Sequence, residues 1–183
     1  MLDFIEFVDA KISLFINNLH CELLDFLMFH ITHFYCSVVI YLAVILAFAV
    51  IKKKQCLKDI LFLILTFAVV IFIVADVIKP NVARLRPCNT AELQGLLHIV
   101  KGYTATSFSF VSSHAATSFA IATFVYLSFG KKNISILIFL WAFIYSYSRI
   151  YLGVHFFGDV LCGALLGILC GKIMFELKKI IKS

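Results

Sequence analysis

The residues able to do chemistry in this chain fall into three short clusters. KPNVARLRP, residues 79–87, brings Lys79, Arg84 and Arg86 together where a hydrophobic run stops at a proline. FVSSHAATSF, residues 110–119, opens an apolar stretch with Ser112, Ser113 and His114. SRIYLGVHFFGD, residues 148–159, holds Ser148, Arg149, His155 and Asp159. Lys79, Arg84, Arg86 and Arg149 are suited to an anion, because arginine forks match phosphate oxygens in a bidentate way. The start of a helix at Ser112 and Ser113 adds free backbone N–H donors and a partial positive charge. His155 and Asp159 are four residues apart and share a face of a helix, so the carboxylate can accept from Nδ1–H and leave Nε2 free as a nucleophile. His114 is then the proton donor that a leaving alkoxide needs. No carboxylate cluster is present to hold a magnesium pair, so the basic residues must neutralise the phosphoryl charge, and neither metal nor cofactor is expected.

Three further polar residues border these clusters. Asp76 lies one turn before Lys79, and two readings stay open: a partner that orients Lys79 or an arginine, or an acid reaching for the interface. Arg84 reads equally as a substrate contact or a headgroup anchor. Ser148 is expected to hydrogen-bond near Arg149 or His155 rather than to attack phosphorus. His20, His30, His33 and His98 lack such company and read as interfacial or loop residues.

The elements that must position these groups are hydrophobic helices. Of 183 residues, 63% are hydrophobic and 14% charged, with mean hydropathy +1.05, far from a soluble domain with about a quarter charged. A helix needs roughly 20 apolar residues to cross a bilayer core. Segments 33–51, 57–78, 112–130, 133–150 and 154–176 meet or approach that length. Residues 2–19 instead repeat Asp3, Glu6, Ala10, Ser13 and Asn17 every three or four positions, with Phe4, Phe7, Ile12 and Phe15 filling the other side. That pattern predicts an amphipathic helix lying in the interface, or else a sixth short span. The N-terminal stretch MLDFIEFVDA carries acids and no base, unlike a secretory signal, and is expected to be retained. The six cysteines show no CxxC spacing and read as small hydrophobes, not as a zinc site or a disulfide frame.

The fold class expected is therefore all-α: an integral membrane bundle of about five to six transmembrane helices with an N-terminal amphipathic helix. It forms a single domain over 1–183, with 1–20 at the interface and 79–113 as the connector carrying site residues. Lys52, Lys53, Lys54, Lys58, Lys131, Lys132, Lys172, Lys178, Lys179 and Lys182 fall on one side of a five-span arrangement, against Asp59 and Glu176. By the positive-inside rule that side is cytoplasmic. The connector and the turn 149–155 then share the outer face.

At these residues the chain resembles the type-2 phosphatidic acid phosphatase superfamily, whose signature runs KxxxxxxRP, PSGH, SRxxxxxHxxxD. Lys79, Arg86 and Pro87 match the first segment, and Ser148, Arg149, His155 and Asp159 match the third. The second departs, with Val111 for proline and Ser113 for glycine, while Ser112 and His114 match. The resemblance implies a helical bundle, a phosphohistidine on His155, proton donation by His114, phosphate binding by Lys79, Arg86, Ser112 and Arg149, and no metal. A glycine at 113 would permit positive φ and close backbone approach, so Ser113 is expected to alter the phosphate cradle.

The leading expectation is a metal-independent lipid phosphate phosphatase in a bacterial-type inner membrane. Its site would face the periplasm and its C-terminus the cytoplasm. Lipid A 1-phosphate, undecaprenyl diphosphate and phosphatidylglycerol phosphate, each a substrate among relatives, stand as alternatives. A lipid phosphotransferase of the same fold and a non-catalytic anionic-lipid-binding protein are the competing readings. The partners expected are the lipid substrate and the bilayer, with no nucleic acid and no obligate protein partner.

Overall fold

The computed structural model describes residues 2–53, 56–130 and 133–181. Lys54, Lys131, Lys132 and Lys182, four of the bases used above to orient the chain, lie outside the described residues, as does the side chain of Asp3. The described residues are helical with irregular connections: α1 (Leu2–Asn17), α2 (Glu22–Ile31), α3 (Phe34–Lys52), α4 (Cys56–Phe72), α5 (Lys79–Val82), α6 (Ser113–Phe129), α7 (Asn133–Tyr151) and α8 (Phe157–Ile180). All six cysteines are free thiols.

Each of the five expected spans is a helix. Among the described residues, four stretches are long and apolar enough to cross a membrane, starting at Tyr35, Cys56, Asn133 and Phe157, and five are if α1 and α2, bent by 112° at residues 18–21, form one broken span. The shorter α6 sits in the middle of the bundle, with Ala116, Ala120, Phe124 and Val125 fully buried. Leucine side chains such as Leu42, Leu46, Leu61, Leu140 and Leu165 point outward and exposed, as a bilayer-facing surface requires.

Glycines set the distance between α6 and α8. A Cβ on Gly163, Gly167 or Gly171 would stand 2.7, 2.2 and 2.4 Å from the carbonyl oxygens of Ser112, Ala116 and Ala120. The four-residue stripe is thus a seam within the bundle that lets two backbones touch. At its upper end it presses Gly163 against Ser112, so the packing seam runs directly beneath the candidate site.

The path out of α4 is shaped by Pro80, which lacks an N–H and whose ring would clash with the carbonyl of Asp76 in a regular α-helix. The chain takes a π turn over Ile73–Ile78, and α5 ends at Ala83 in the left-handed region. A π turn is wider, so a residue three positions on does not return to the same face. Asp76 is accordingly exposed while Lys79 is buried. Asp76 forms no ion pair with a described residue, which removes the orienting role considered for it.

The N-terminal helix corrects a second expectation. Ser13 and Asn17, read as part of a headgroup-facing stripe, are 2% and 0% exposed. Asn17 donates from Nδ2 to the carbonyls of Tyr151 (2.7 Å) and His98 (2.9 Å) and accepts from the His98 N–H (2.8 Å). Ser13 Oγ accepts from the Phe157 N–H at 2.9 Å. The turn between α7 and α8 carries backbone groups with no partner of their own, and buried backbone polar groups must be paired. The polar stripe pairs them, and Phe4, Phe7 and Phe15 face outward instead.

Candidate active site

The turn from α7 to α8 fixes the spacing of the third motif. Gly153 has φ +68° and its N–H donates to the Ile150 carbonyl (2.9 Å), while Val154 and His155 both donate to the Arg149 carbonyl (3.2 Å). This left-handed closure ends α7 as a glycine C-cap does, and it delivers His155 just before α8 begins. Asp159, in the first turn of α8, accepts from the Phe156 N–H at 2.9 Å. The carboxylate thereby satisfies an orphan donor of the helix N-terminus and stands over His155.

Around His155 the hydrogen bonds define one tautomer. Nδ1 lies 3.4 Å from Asp159 Oδ2 and 3.3 Å from Ser109 Oγ, and the Ser109 hydroxyl itself donates to Asp159 Oδ2. On the other side of the ring, Arg86 Nη1 lies 3.0 Å from Nε2. A guanidinium only donates, so Nε2 carries the lone pair and Nδ1 the proton. His155 is 1% exposed. Burial first, and then the charges of Arg86, Arg149, Lys79 and Arg84, hold its pKa well below the ordinary imidazole value.

The cations are held by carbonyls of the connector. Arg86 donates from Nε to the Ser107 carbonyl (2.6 Å), from Nη2 to Ser107 Oγ (2.9 Å) and from Nη1 to the Val154 carbonyl (2.7 Å). Lys79 Nζ donates to the carbonyls of Phe108 and Ser109. A cavity of about 360 Å³ opens against Lys79, Arg86, Ser107, Ser113, His114 and His155. A second, of about 380 Å³, shares Ser113 and His114 and is otherwise bounded by Thr32, His33, Ser37, Tyr41, Tyr103 and Tyr145 among others. His114 therefore stands in the wall between a basic chamber and a more aromatic one, with its ring 5.1 Å from that of Tyr145.

Two expected phosphate contacts sit behind the basic chamber. Ser112 is fully buried; its Oγ accepts from the Ala115 N–H and its own N–H donates to the Asp159 carbonyl at 3.0 Å. That amide, expected to be free, is already used to tie α6 to α8. The amides of Ser113 and His114 remain as first-turn donors with no acceptor inside their own helix. Arg149 donates from Nη1 to Thr32 Oγ1 and to the Tyr103 hydroxyl (2.8 Å), and its Nε is buried without a partner. Ser148 does not reach Arg149 or His155, because its hydroxyl donates to the Tyr145 carbonyl one turn back (2.7 Å). The two departures in the second motif are accommodated: Ser113 does not have positive φ, and Val111 packs with Val70, Val74, Ala116 and Ala120.

Arg84, read as a substrate contact or a headgroup anchor, is held between two carboxylates. Its Nη1 pairs with Asp159 Oδ1 (2.7 Å) and its Nη2 with Asp9 Oδ2 (2.8 Å), and its guanidinium lies 4.0 Å over the Phe156 ring. Ser107, Ser109 and Asp9 were not legible as site residues. Their only sequence mark is polarity among aromatic neighbours.

Comparison with known proteins identifies the family. The family model described as "PAP2 superfamily" matches residues 59–181. A lipid A 4'-phosphatase of Bacteroides thetaiotaomicron is 34% identical over 171 residues, covering 91% of this chain and 75% of that protein. The crystal structure of a transmembrane PAP2-type phosphatidylglycerolphosphate phosphatase from Bacillus subtilis superposes with TM-score 0.74 at 25% identity, over 97% of this chain and 88% of that one. That of Aquifex aeolicus LpxE gives TM-score 0.67 at 32% identity, over 91% and 93%. With matching motifs, a shared helical bundle and a buried histidine facing a basic cavity, the chain belongs to the PAP2 superfamily as one of its multi-pass membrane phosphatases.

Proposed function

We propose that this enzyme removes a phosphate monoester from a lipid A-type glycolipid through a phosphohistidine on His155, without a metal. The observation that carries the reading is the arrangement of His155: Nε2 unprotonated toward a cavity bordered by Lys79 and Arg86, Nδ1–H toward Asp159. In the first step Lys79 and Arg86, which border the cavity, take phosphoryl oxygens, while Arg149, buried behind it, adds positive charge. Nε2 forms the N–P bond as the P–O bond to the lipid breaks. Protonated His114 gives its proton to the departing alkoxide, and Asp159 offsets the positive charge that develops on the imidazole. In the second step water attacks phosphorus, His114 takes its proton, and the N–P bond breaks to release phosphate. The three basic side chains supply the positive charge that a metal pair supplies in other phosphoryl-transfer sites.

A glycolipid phosphate is favoured by the similarity to a lipid A 4'-phosphatase. The orientation proposed places the site at the outer leaflet of an inner membrane and the C-terminus in the cytoplasm. Lys52, Lys58 and Lys178 gather at the end of the bundle remote from His155: Lys178 pairs with Asp59 (2.7 Å) and donates to Ser128, and Lys52 donates to the Ser128 carbonyl. A lysine-rich end is the cytoplasmic end by the positive-inside rule.

The test is phosphate release by purified protein in EDTA from lipid A carrying phosphate only at the 4' position, only at the 1 position, and from phosphatidylglycerol phosphate. Turnover of a lipid A species in preference to the glycerolipid is expected. Preference for the glycerolipid, or a requirement for magnesium, would contradict the corresponding part of the reading.

A further inference from the structure

Asp9 lies outside residues 59–181, the segment matched by the family model, yet it reaches the candidate site from α1. Its Oδ1 accepts from the Gly158 N–H at 2.7 Å and its Oδ2 accepts from Arg84 at 2.8 Å. The approach depends on a glycine: a Cβ on Gly158 would stand 2.9 Å from Asp9 Oδ2. Arg84 in turn holds Asp159 Oδ1, and Asp159 Oδ2 faces His155 Nδ1. The four groups form a line of alternating charge, Asp9, Arg84, Asp159 and the imidazole that becomes positive when phosphorylated.

The balance of that line matters. Arg84 alone would cancel the charge of Asp159, leaving nothing to offset a positive imidazole. The other charges that face His155, namely Arg86, Arg149 and Lys79, all oppose its becoming positive, so the site depends on Asp159 keeping its charge. We propose that Asp9 is a positioning residue of the reaction: by neutralising Arg84 it leaves the charge of Asp159 available to His155, while Arg84 continues to fix the orientation of that carboxylate. The N-terminal helix is then part of the catalytic machinery and not merely a membrane contact. This rests on the phosphohistidine reading given above.

The experiment compares wild type, Asp9→Asn, and the double variant Asp9→Asn/Arg84→Met, all full-length in detergent. The carboxamide of Asp9→Asn keeps an oxygen for the Gly158 N–H and turns its –NH2 toward Arg84, so shape is retained while the charge and the acceptor for Arg84 are lost. For Asp9→Asn, kcat is expected to fall about ten-fold, the scale on which partners behind a reacting group act, with KM little changed. The double variant is expected to recover most of that loss, because removing Arg84 returns the full charge of Asp159. A purely structural clamp gives the reverse order, with the double variant slower than the single, and that result overturns the proposal, as does an unchanged kcat in Asp9→Asn. The His155 Nδ1–H proton resonance in resting protein gives a second readout that needs no turnover. It is expected to move upfield in Asp9→Asn, and an unmoved resonance refutes the relay. If wild type hydrolyses no lipid phosphate, the functional reading fails while the resonance still decides the relay.

Discussion

Arg86 Nη1 and His155 Nε2 stand 3.0 Å apart, so the nitrogen assigned as nucleophile is covered by a cation before any substrate arrives. An incoming phosphate would exchange this contact for one between Arg86 and its own oxygens, which brings phosphorus to Nε2 as the guanidinium swings over. The planar fork of Arg86 also spans Ser107 and Val154.

Replacing Arg86 by lysine keeps the charge and removes the fork. Activity of Arg86→Lys is expected to fall about 100-fold in kcat/KM, the order typical of losing one preorganised donor at a developing charge. Steady-state phosphate release checks this, and a value within a few-fold of wild type would show that charge alone suffices.

Burial and the surrounding cations hold His155 neutral well below the ordinary imidazole range. In the proposed reaction the neutral ring is the nucleophile, so its competence is expected to persist as pH falls through about 6.5 and to be lost only when pH drops through the lowered value. The same shift bears on stability. Between the two values the unfolded chain binds the proton and the folded chain does not, so this group's contribution to stability declines as pH drops below the unfolded value. A ¹⁵N NMR titration of histidine-labelled protein, with His155 assigned by its loss in His155→Ala, should show an Nδ1–H neutral ring at a pH of about 6.5. Half-protonation there would contradict the burial argument.

Asp159→Asn leaves the imidazole with no carboxylate to offset the positive charge it develops in the proposed reaction, whereas His155→Ala removes the ring. Both should be slow, with Asp159→Asn retaining more activity, because an Asp-to-Asn change behind a catalytic histidine costs about 10⁴-fold in a serine protease and leaves the imidazole in place. Single-turnover rates on one lipid phosphate would rank them. Equality of Asp159→Asn with wild type would mean that Ser109, 3.3 Å from Nδ1, orients the ring alone.

Gly167→Ala should be among the most destabilising single changes on α8. Its Cβ would meet the Ala116 carbonyl oxygen at 2.2 Å, and overpacking of this kind costs about 1–3 kcal/mol. Thermal unfolding in detergent measures it. Gly163→Ala presses on Ser112 instead, at 2.7 Å, and is expected to lower activity as well as stability.

Part of this site was legible in the sequence. His155 and Asp159 do come together, but His155 lies in the turn before α8 and the closure at Gly153 brings it there, not a shared helix face; Ser112, expected to hold phosphate, instead caps α6. Lys79, Arg86 and His114 were placed by motif order, and they border one cavity. What the sequence hid depends on tertiary contact. Periodicity identified a polar stripe on α1 but not its partner, and Ser13 and Asn17 turned inward to the α7–α8 turn. Arg84 reads in sequence equally as a substrate contact or a headgroup anchor, and only the fold sets Asp9 and Asp159 on its two sides. Asp76 lost its expected neighbour to a π turn that hydrophobic patterning does not reveal.

The most direct measurement of the central claim is an acid-labile, alkali-stable phosphoprotein. Purified wild type would be mixed with ³²P-labelled lipid phosphate in EDTA and quenched in alkali within a single turnover. Label bound to wild type and absent from His155→Ala, with both proteins eluting alike, is the expected result. Label retained by His155→Ala, or phosphate released by wild type with no labelled protein at any time within the turnover, would contradict a phosphohistidine on His155.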